Sequence, residues 1–317
     1  MPSSGAGEIL TMGEAVRRRP GMYFGDVRRP AGLMNYFLEL IEDLIAIRRA
    51  SAVRVEISAE NALRIEHNGR PFAAADFAPS MSSACLVSKI AVSRFFHART
   101  LDGVLSFRDG QATDPIALSD GTDLRCQPDP RIFTSPVPLD TFLVTGVAQP
   151  FAVSHPGTSI TLSETGRERV LHYPRGPLDR LLELGRGDML HVPLRGGAQI
   201  DGGSCDLAIA ICDHDHDVME TYVNGQKCEG GKHEAQLLSV LKRGLERHVA
   251  VGAVMVFELD RPCFAGPCRD LLADERAGQI LANAVEPLLI ELQGNGPHFW
   301  GVDALTALAI YRILAQA

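Results

Sequence analysis

The sequence lacks the features of a membrane or exported protein. Its longest apolar run, residues 249–257, is far too short to cross a bilayer. The first residues have neither the basic segment nor the apolar core of a signal peptide. Seven cysteines, an odd number without a Cys-x-x-Cys spacing, argue against a disulfide framework. These absences predict a cytoplasmic protein with reduced thiols and no membrane partner.

Basic charge is also scarce. The formal net charge is −8, from 31 Lys and Arg against 39 Asp and Glu. DNA binding draws on a basic face that releases counterions, and short clusters such as Arg17 to Arg19 are more typical of solvated surface. We therefore expect no nucleic-acid partner. The 45% hydrophobic content is that of a globular protein, and 317 residues suit two domains of ordinary size.

The first clear periodic segment predicts an amphipathic helix. Apolar residues recur at helical spacing from Gly32 to Arg49, which indicates one buried stripe. Glu39 and Asp43 lie four residues apart and therefore share a different face of this helix. A face with two carboxylates marks a candidate site.

Two alternating segments, 53–57 and 63–67, predict strands joined by a turn at Glu60-Asn61. His67 has the same parity as Leu63 and Ile65, so its side chain should point toward the helix. The pattern places His67 beside Glu39 and Asp43 around one pocket.

The remaining pattern completes a two-domain organisation, with a break near Pro174 and Gly176. We predict domains at 1–176 and 177–317. Other predicted elements of the first domain are a helix at 89–97 and strands at 103–107, 123–126, 158–163 and 167–173. The second domain should begin with residues 178–184 and contain a hairpin of strands 206–212 and 218–223, a helix at 233–248, a strand at 251–259, and C-terminal helices at 273–292 and 302–315.

Residues 14–26 closely resemble the opening signature of the ATPase region of the B subunit of DNA gyrase and its type IIA topoisomerase relatives. Further segments resemble motifs of the same family in the same order along the chain. They are 37–43, 65–71, Gly121-Thr122, 222–233 and 260–272. The resemblance implies an α+β chain, with a Bergerat-type (GHKL) ATPase sandwich followed by a ribosomal-S5-like transducer domain. The DNA-cleaving metal domain and the basic tail domain of the family have no counterpart here, so we expect no DNA cleavage by this chain alone.

The resemblance assigns chemical roles to particular positions. Glu39 stands where the family uses a carboxylate to activate the attacking water. Asp43 replaces the family's magnesium-binding Asn, and the extra charge is unfavourable beside phosphates unless a metal neutralises it. His67 replaces the Asp that accepts the adenine N–H, and a neutral His accepts through one nitrogen only.

Other positions of the resembled nucleotide site are altered as well. Pro71 replaces a glycine at a close backbone approach and has no N–H. Only 17 residues lie between Pro71 and Lys89, and the segment that ends at Ser88 lacks the family's glycines, which would form an anion nest. Arg269 stands where the family has a Lys that contacts the terminal phosphate, and it keeps the charge but not the point geometry. Together these changes predict that ATP hydrolysis is lost and that no cofactor, including Mg-ATP, is used.

Three functional hypotheses follow from this pattern. The leading one is an enzyme that uses Glu39 and His67 for acid/base chemistry on a small, anionic metabolite by isomerisation, cyclisation, hydration or elimination. Its candidate substrate-binding residues are Asp43, Asn68, Arg70, Ser88, Thr122 and Arg269. The alternatives are a non-catalytic, gyrase-like regulator with a gyrase-related protein partner, and a protein that binds ATP without turnover. His67 as a satisfied core histidine is as well supported as its catalytic role, and a homodimer stays open.

One further cluster lies outside these motifs. His214 and His216 alternate within the Cys- and Asp-rich segment 212–217 and could bind a metal if the segment were extended. Polar residues are ordinary at a hairpin turn, so we favour a turn at this segment over a metal site.

Overall fold

The computed structural model describes residues 11–77, 84–185, 189, 193–212, 216–241, 250–265 and 271–294. The chain divides into two compact units, one of residues 1–149 and 158–171 and one of residues 150–157 and 172–317. The boundary at 176/177 stays a prediction. None of the helices among the described residues is long and apolar enough to cross a membrane.

Unit 1 is built on an eight-stranded sheet with the strand order β5-β4-β3-β6-β2-β1-β7-β8. Its strands are β1 (Ala52–Ile57), β2 (Leu63–His67), β3 (Ser93–Thr100), β4 (Gly103–Arg108), β5 (Gln111–Thr113), β6 (Leu124–Pro128), β7 (Ser159–Glu164) and β8 (Arg167–His172). Its helices are α1 (Met12–Arg18), α2 (Gly21–Phe24), α3 (Pro30–Glu42) and α4 (Ala84–Ala91). Helix α5 (Thr141–Ser154) begins in this unit and ends in the second.

The helix predicted from Gly32 is present as α3, and a π-helical turn, Asp43–Ile47, continues it. Leu33, Phe37, Leu40 and Ile41 of this helix are buried. One face of the sheet is also apolar, because alternate residues such as Val55 are buried while their neighbours are exposed. This alternation fixes an inner, core-facing side and an outer side of the sheet.

The turn between β1 and β2 forms as predicted. Glu60 and Asn61 have φ angles of 61° and 62°, in the left-handed region that Asn tolerates best among non-glycine residues.

Unit 2 contains a five-stranded sheet with the order β12-β11-β14-β10-β9 and a small pairing of β13 with β15. The strands are β9 (Leu194–Ile200), β10 (Gly203–Cys212), β11 (Val218–Val223), β12 (Gln226–Cys228), β13 (Gly230–Gly231), β14 (Ala250–Leu259) and β15 (Leu271–Leu272). The helices are α6 (Pro177–Gly185), α7 (Lys232–Leu241) and α8 (Glu275–Gly294), and Pro287 lies inside α8. The predicted helix at 302–315 and residues 242–248 of another lie outside the described residues.

Two predicted elements are wrong. The helix predicted at 89–97 is instead the end of α4, followed by β3, because Phe95 and Phe96 favour a strand and pair with β4 and β6. The predicted hairpin of 206–212 with 218–223 does not form. Strand β14 lies between β10 and β11, antiparallel to the first and parallel to the second. Residues 250–257 of β14 are all buried, which suits the centre of a sheet covered on both sides.

Candidate functional site

Helix α3 and its π-helical extension carry the two acidic residues of the candidate site. Glu39 receives a hydrogen bond from the ammonium of Lys89, at its Oε2 atom. The Lys89 side chain is 0% exposed and that of Glu39 is 28% exposed. Water can therefore reach the carboxylate of this ion pair but not its ammonium. Burying an ammonium is tolerated only when a carboxylate compensates it, and Glu39 supplies that charge.

The second acidic residue has a cation of its own. Arg48 Nε lies 2.7 Å from Asp43 Oδ2, and both side chains are buried. The π-helical turn makes this contact, because the Arg48 amide donates to the carbonyl of Asp43 five residues earlier and so brings the two residues together.

Arg48 is held by further contacts on its other side. Its Nη2 lies 3.0 Å from Asp76 Oδ2, and its Nη1 donates to the carbonyl of Pro71 at 3.1 Å. Its guanidinium carbon lies 3.8 Å from the centroid of the Phe72 ring, a cation–π distance. Burial raises the pKa of Asp76, but the Ala73 amide and the Arg48 guanidinium outweigh it, so the pKa is lowered overall. Arg48 is thus neutralised and fixed within the protein.

His67 has the orientation that its strand parity predicts, toward the inner side of the sheet. Its ring packs edge-to-face on Phe72, with centroids 5.4 Å apart. Nδ1 accepts a hydrogen bond from the Gly69 amide at 3.1 Å, which places the proton of the neutral ring on Nε2. Burial, followed by the charge of Arg48, lowers the pKa of His67, although Asp123 and Asp43 oppose this. Among the described residues Nε2 has no hydrogen-bond partner, although it is buried.

Lys89 lies in a closed polar cluster. The Tyr36 hydroxyl and Ser93 Oγ are 2.8 Å apart, and Ser93 Oγ donates to the Lys89 carbonyl at 2.6 Å. Burial raises the pKa of the Cys126 thiol to about 12, against smaller lowering effects of Tyr36 and Lys89. The polar groups around the lysine therefore belong to the protein interior.

The predicted substrate-binding residues differ in exposure. Asn68 is exposed and its Oδ1 accepts from the amides of Ser51 and Ala52, at 2.9 and 2.8 Å. Arg70 is exposed, and Ser88 is buried in α4.

Thr122 is buried, and its hydroxyl accepts from Arg64 Nε at 2.6 Å. Arg64 projects from β2 on the opposite side from His67. The Thr122 hydroxyl therefore contacts a residue of the outer face of the sheet. The sequence alone does not reveal this, because Thr122 precedes β6 in an irregular segment whose parity cannot be assigned.

The remaining predictions concern residues at the edge of the described chain. Arg269 and His214 lie outside the described residues. His216 is described, exposed and at a bend. No group of three His, Cys, Asp or Glu that could hold a metal ion occurs in the part of the chain that the structure describes.

Sequence reasoning missed the cations that hold the two acids. The sequence gives a hint that Lys89 is paired, because it is a lone charge among the apolar residues of a short helix. The sequence evidence for the pairing of Arg48 with Asp43 is weaker, because a spacing of five residues does not bring side chains together in a regular α-helix.

Comparison with known proteins identifies the architecture. No protein-family model matches the chain. The B subunit of DNA gyrase from Archaeoglobus fulgidus is 22% identical over 342 residues, which cover 88% of this chain and 54% of that protein. The B subunit of DNA topoisomerase 4 from Rickettsia typhi is 24% identical over 295 residues, which cover 76% of this chain and 44% of that protein. The chain thus spans about half the length of the curated relatives it matches.

Solved structures match at the level of fold. The B-subunit of the DNA gyrase from Myxococcus xanthus has a TM-score of 0.73 at 21% identity, with 94% of this chain and 99% of that chain covered. The 43K ATPase domain of Thermus thermophilus gyrase B, in complex with an aminocoumarin, also has a TM-score of 0.73, at 19% identity and with 97% and 94% covered. These matches confirm the predicted fold class and the resemblance to the B subunits of these topoisomerases.

Proposed function

We propose that this chain, which has the fold of the gyrase B ATPase and transducer region, does not hydrolyse ATP. One observation carries the proposal: the protein's own cations occupy both acidic positions of the resembled catalytic site, Lys89 at Glu39 and Arg48 at Asp43.

The first pair bears on activation of water. A general base needs an oxygen in hydrogen-bond reach of the water that it deprotonates. Oε2 of Glu39 already accepts from the Lys89 ammonium, which is 0% exposed. A water bound at Oε2 would have to displace this ammonium, so proton transfer falls to the second carboxylate oxygen.

The second pair bears on magnesium. A magnesium ion at Asp43 would have to compete with Arg48, which also binds Asp76, the Pro71 carbonyl and the face of Phe72. These contacts hold Arg48 in place beside Asp43, so a magnesium ion would meet a fixed positive charge there. Mg-ATP binding in the usual geometry is therefore disfavoured.

The third feature bears on recognition of the adenine base. A carboxylate accepts the exocyclic N–H of adenine, whereas neutral His67 with its proton on Nε2 offers a donor. Two donors that face each other make no hydrogen bond, and a buried unsatisfied group costs roughly 1–3 kcal/mol. The altered site favours a ligand that presents an acceptor, such as a carbonyl oxygen.

We further propose that the site around Glu39 and His67 performs acid/base chemistry on a small molecule. The partly exposed Glu39 carboxylate and the buried, unpartnered Nε2 of His67 among the described residues favour this interpretation. A neutral imidazole and a carboxylate can shuttle a proton during isomerisation, cyclisation, hydration or elimination without a nucleotide. Exposed Arg70 supplies a cation for an anionic substrate.

Phosphate release tests the first proposal. Purified protein with Mg-ATP should release inorganic phosphate no faster than buffer without protein does. The corresponding region of a gyrase B, measured in parallel, should release phosphate well above that background. Magnesium-dependent release that Glu39→Gln abolishes and Glu42→Gln leaves intact would contradict it.

The same two variants separate the enzyme from a regulator. Thermal shift and turnover are measured with a panel of small carbonyl-containing acids. An enzyme loses turnover in Glu39→Gln and keeps it in Glu42→Gln. If no member of the panel is bound or turned over, and both variants co-purify with gyrase as the wild type does, the proposal of an enzyme fails and the gyrase-like regulator replaces it.

A further inference from the structure

The outer face of the unit 1 sheet carries a transverse row of two arginines and one histidine that plays no part in the site above. Cross-strand partners join Arg64 of β2 to Arg125 of β6, and Arg125 to His97 of β3. Directly opposed residues on one face lie about 4.5–5.5 Å apart at their Cβ atoms. Three basic side chains therefore stand side by side on adjacent strands.

Only one end of this row is neutralised within the described chain. Arg64 Nη1 lies 3.1 Å from Glu56 Oε2, and Arg64 also pairs with Glu66 and donates to Thr122. Arg125 differs from it. Among the residues that the structure describes it has no ion pair, and its guanidinium carbon lies 5.3 Å from the centroid of the Phe95 ring. Like charges directly opposite each other destabilise a sheet, so Arg125 is placed where an anion would relieve repulsion.

His97, the third member of the row, is also incompletely paired. It is 7% exposed, and its Nδ1 atom is buried without a hydrogen-bond partner among the described residues. Its ring stacks on Phe95, with centroids 5.3 Å apart and planes 16° apart. Burial, followed by the charges of Arg125 and Arg108, lowers the pKa of His97. The guanidinium groups of both arginines therefore lie close enough to His97 to disfavour its protonation.

A cavity opens beside this row. Its volume is about 380 Å³, and its lining includes Arg64, Arg125 and Glu56, the hydroxyl-bearing residues Ser119 and Thr122, and the apolar residues Leu118 and Ala62; Glu56 is already paired with Arg64. A guanidinium beside hydroxyl donors recognises a carboxylate or a phosphate, and the apolar lining suits a short hydrocarbon body.

We propose that this outer-face pocket binds a small organic anion, a carboxylate or a phosphate ester, whose charged group pairs with Arg125 and whose apolar part packs against Leu118 and Ala62. The site is separate from Glu39 and His67, because Arg64 and Arg125 project from the other side of the sheet.

Saturation-transfer NMR with benzoate on the full chain tests the proposal. Wild-type protein should transfer saturation to benzoate, and Arg125→Gln should reduce the transfer at least fivefold. Arg54→Gln is the matched control. Arg54 is also an outer-face arginine, but it pairs with Glu168 at 3.1 Å, so its removal should leave the transfer unchanged.

Competition then distinguishes the two anions. Displacement of benzoate by inorganic phosphate, but not by sodium chloride at equal ionic strength, assigns a phosphate ester, and displacement by acetate alone assigns a carboxylate. Absence of transfer in the wild type, or equal loss in both variants, overturns the proposal.

A thermal measurement provides a second test that does not depend on the probe. At low ionic strength Arg125→Gln should melt at a higher temperature than the wild type, because it removes the uncompensated charge from the row. A lower melting temperature for this variant would also overturn the proposal.

Discussion

Breaking the Glu39–Lys89 pair from either side should give unequal losses of stability. Lys89 is 0% exposed and Glu39 is 28% exposed. Glu39→Gln therefore leaves the buried Lys89 ammonium without its carboxylate. Lys89→Met leaves the Glu39 carboxylate, which water can reach. The structure thus predicts a larger loss for the change at the glutamate, although both changes remove the same ion pair.

The magnitudes follow from general values. Removing one partner of a buried pair costs about 3–5 kcal/mol. Deprotonating an ordinary lysine at pH 7 costs about 4.6 kcal/mol, which sets an upper limit for the charge left by Glu39→Gln. We expect a loss of about 3–4 kcal/mol for Glu39→Gln and roughly 1–2 kcal/mol for Lys89→Met, because methionine fills much of the lysine volume and the remaining charge is hydrated.

The double variant completes the cycle. With Glu39→Gln and Lys89→Met together no uncompensated charge remains, so the loss should be close to that of Lys89→Met alone. The assay is urea unfolding, with hydrogen exchange of the α4 amides as the local readout. Arg54→Gln, which breaks an exposed pair with Glu168, should cost less than about 1 kcal/mol. Equal losses for the two single variants, or additivity in the double variant, would refute the reasoning.

Three smaller predictions concern other residues. The His67 imidazole should be neutral at pH 7 with its proton on Nε2, and its NMR titration should lie below the ordinary value; a proton on Nδ1 would contradict this. Burial lowers the pKa of His233 from 6.5 to about 4, so the unfolded chain takes up a proton first as the pH falls. Stability should drop by up to about 3.4 kcal/mol between these values, and His233→Gln should remove that dependence in urea titrations. Gly225→Ala should cost about 2–5 kcal/mol in urea unfolding, because φ is +79° and the new Cβ would lie 2.5 Å from the Phe151 ring. Gly166→Ala, at φ +76° with nothing within 4 Å, should cost only about 1–2 kcal/mol, and equal losses would contradict the steric argument.

The fold was predictable because the evidence for it is distributed along the chain. The segments that resemble gyrase motifs occur in order, and the alternation of β1 and β2 predicts the direction of His67 from sequence alone. Strand order was not predictable in the same way. The wrong hairpin arose because β10 and β11 are neighbours in sequence, whereas their partner β14 follows much later in the chain and inserts between them.

The candidate site was predictable only in its acids. Glu39 and Asp43 stand out in a helix with one apolar stripe, but the group that neutralises Glu39 lies 50 residues away in α4. The contact of Asp43 with Arg48 depends on a π-helical turn, which composition and periodicity do not signal. The sequence therefore identified the positions of the two acids, and the structure supplied the cations that pair with them.

Nucleotide binding tests the central claim most directly, because on our proposal Asp43 must leave Arg48 before it can bind the magnesium ion of Mg-ATP. Isothermal titration of Mg-ATP into the wild-type chain should give no saturable heat, which corresponds to a Kd weaker than about 1 mM. A Kd well below this value that depends on magnesium, and that Asp43→Asn or Glu39→Gln alters, would contradict the account.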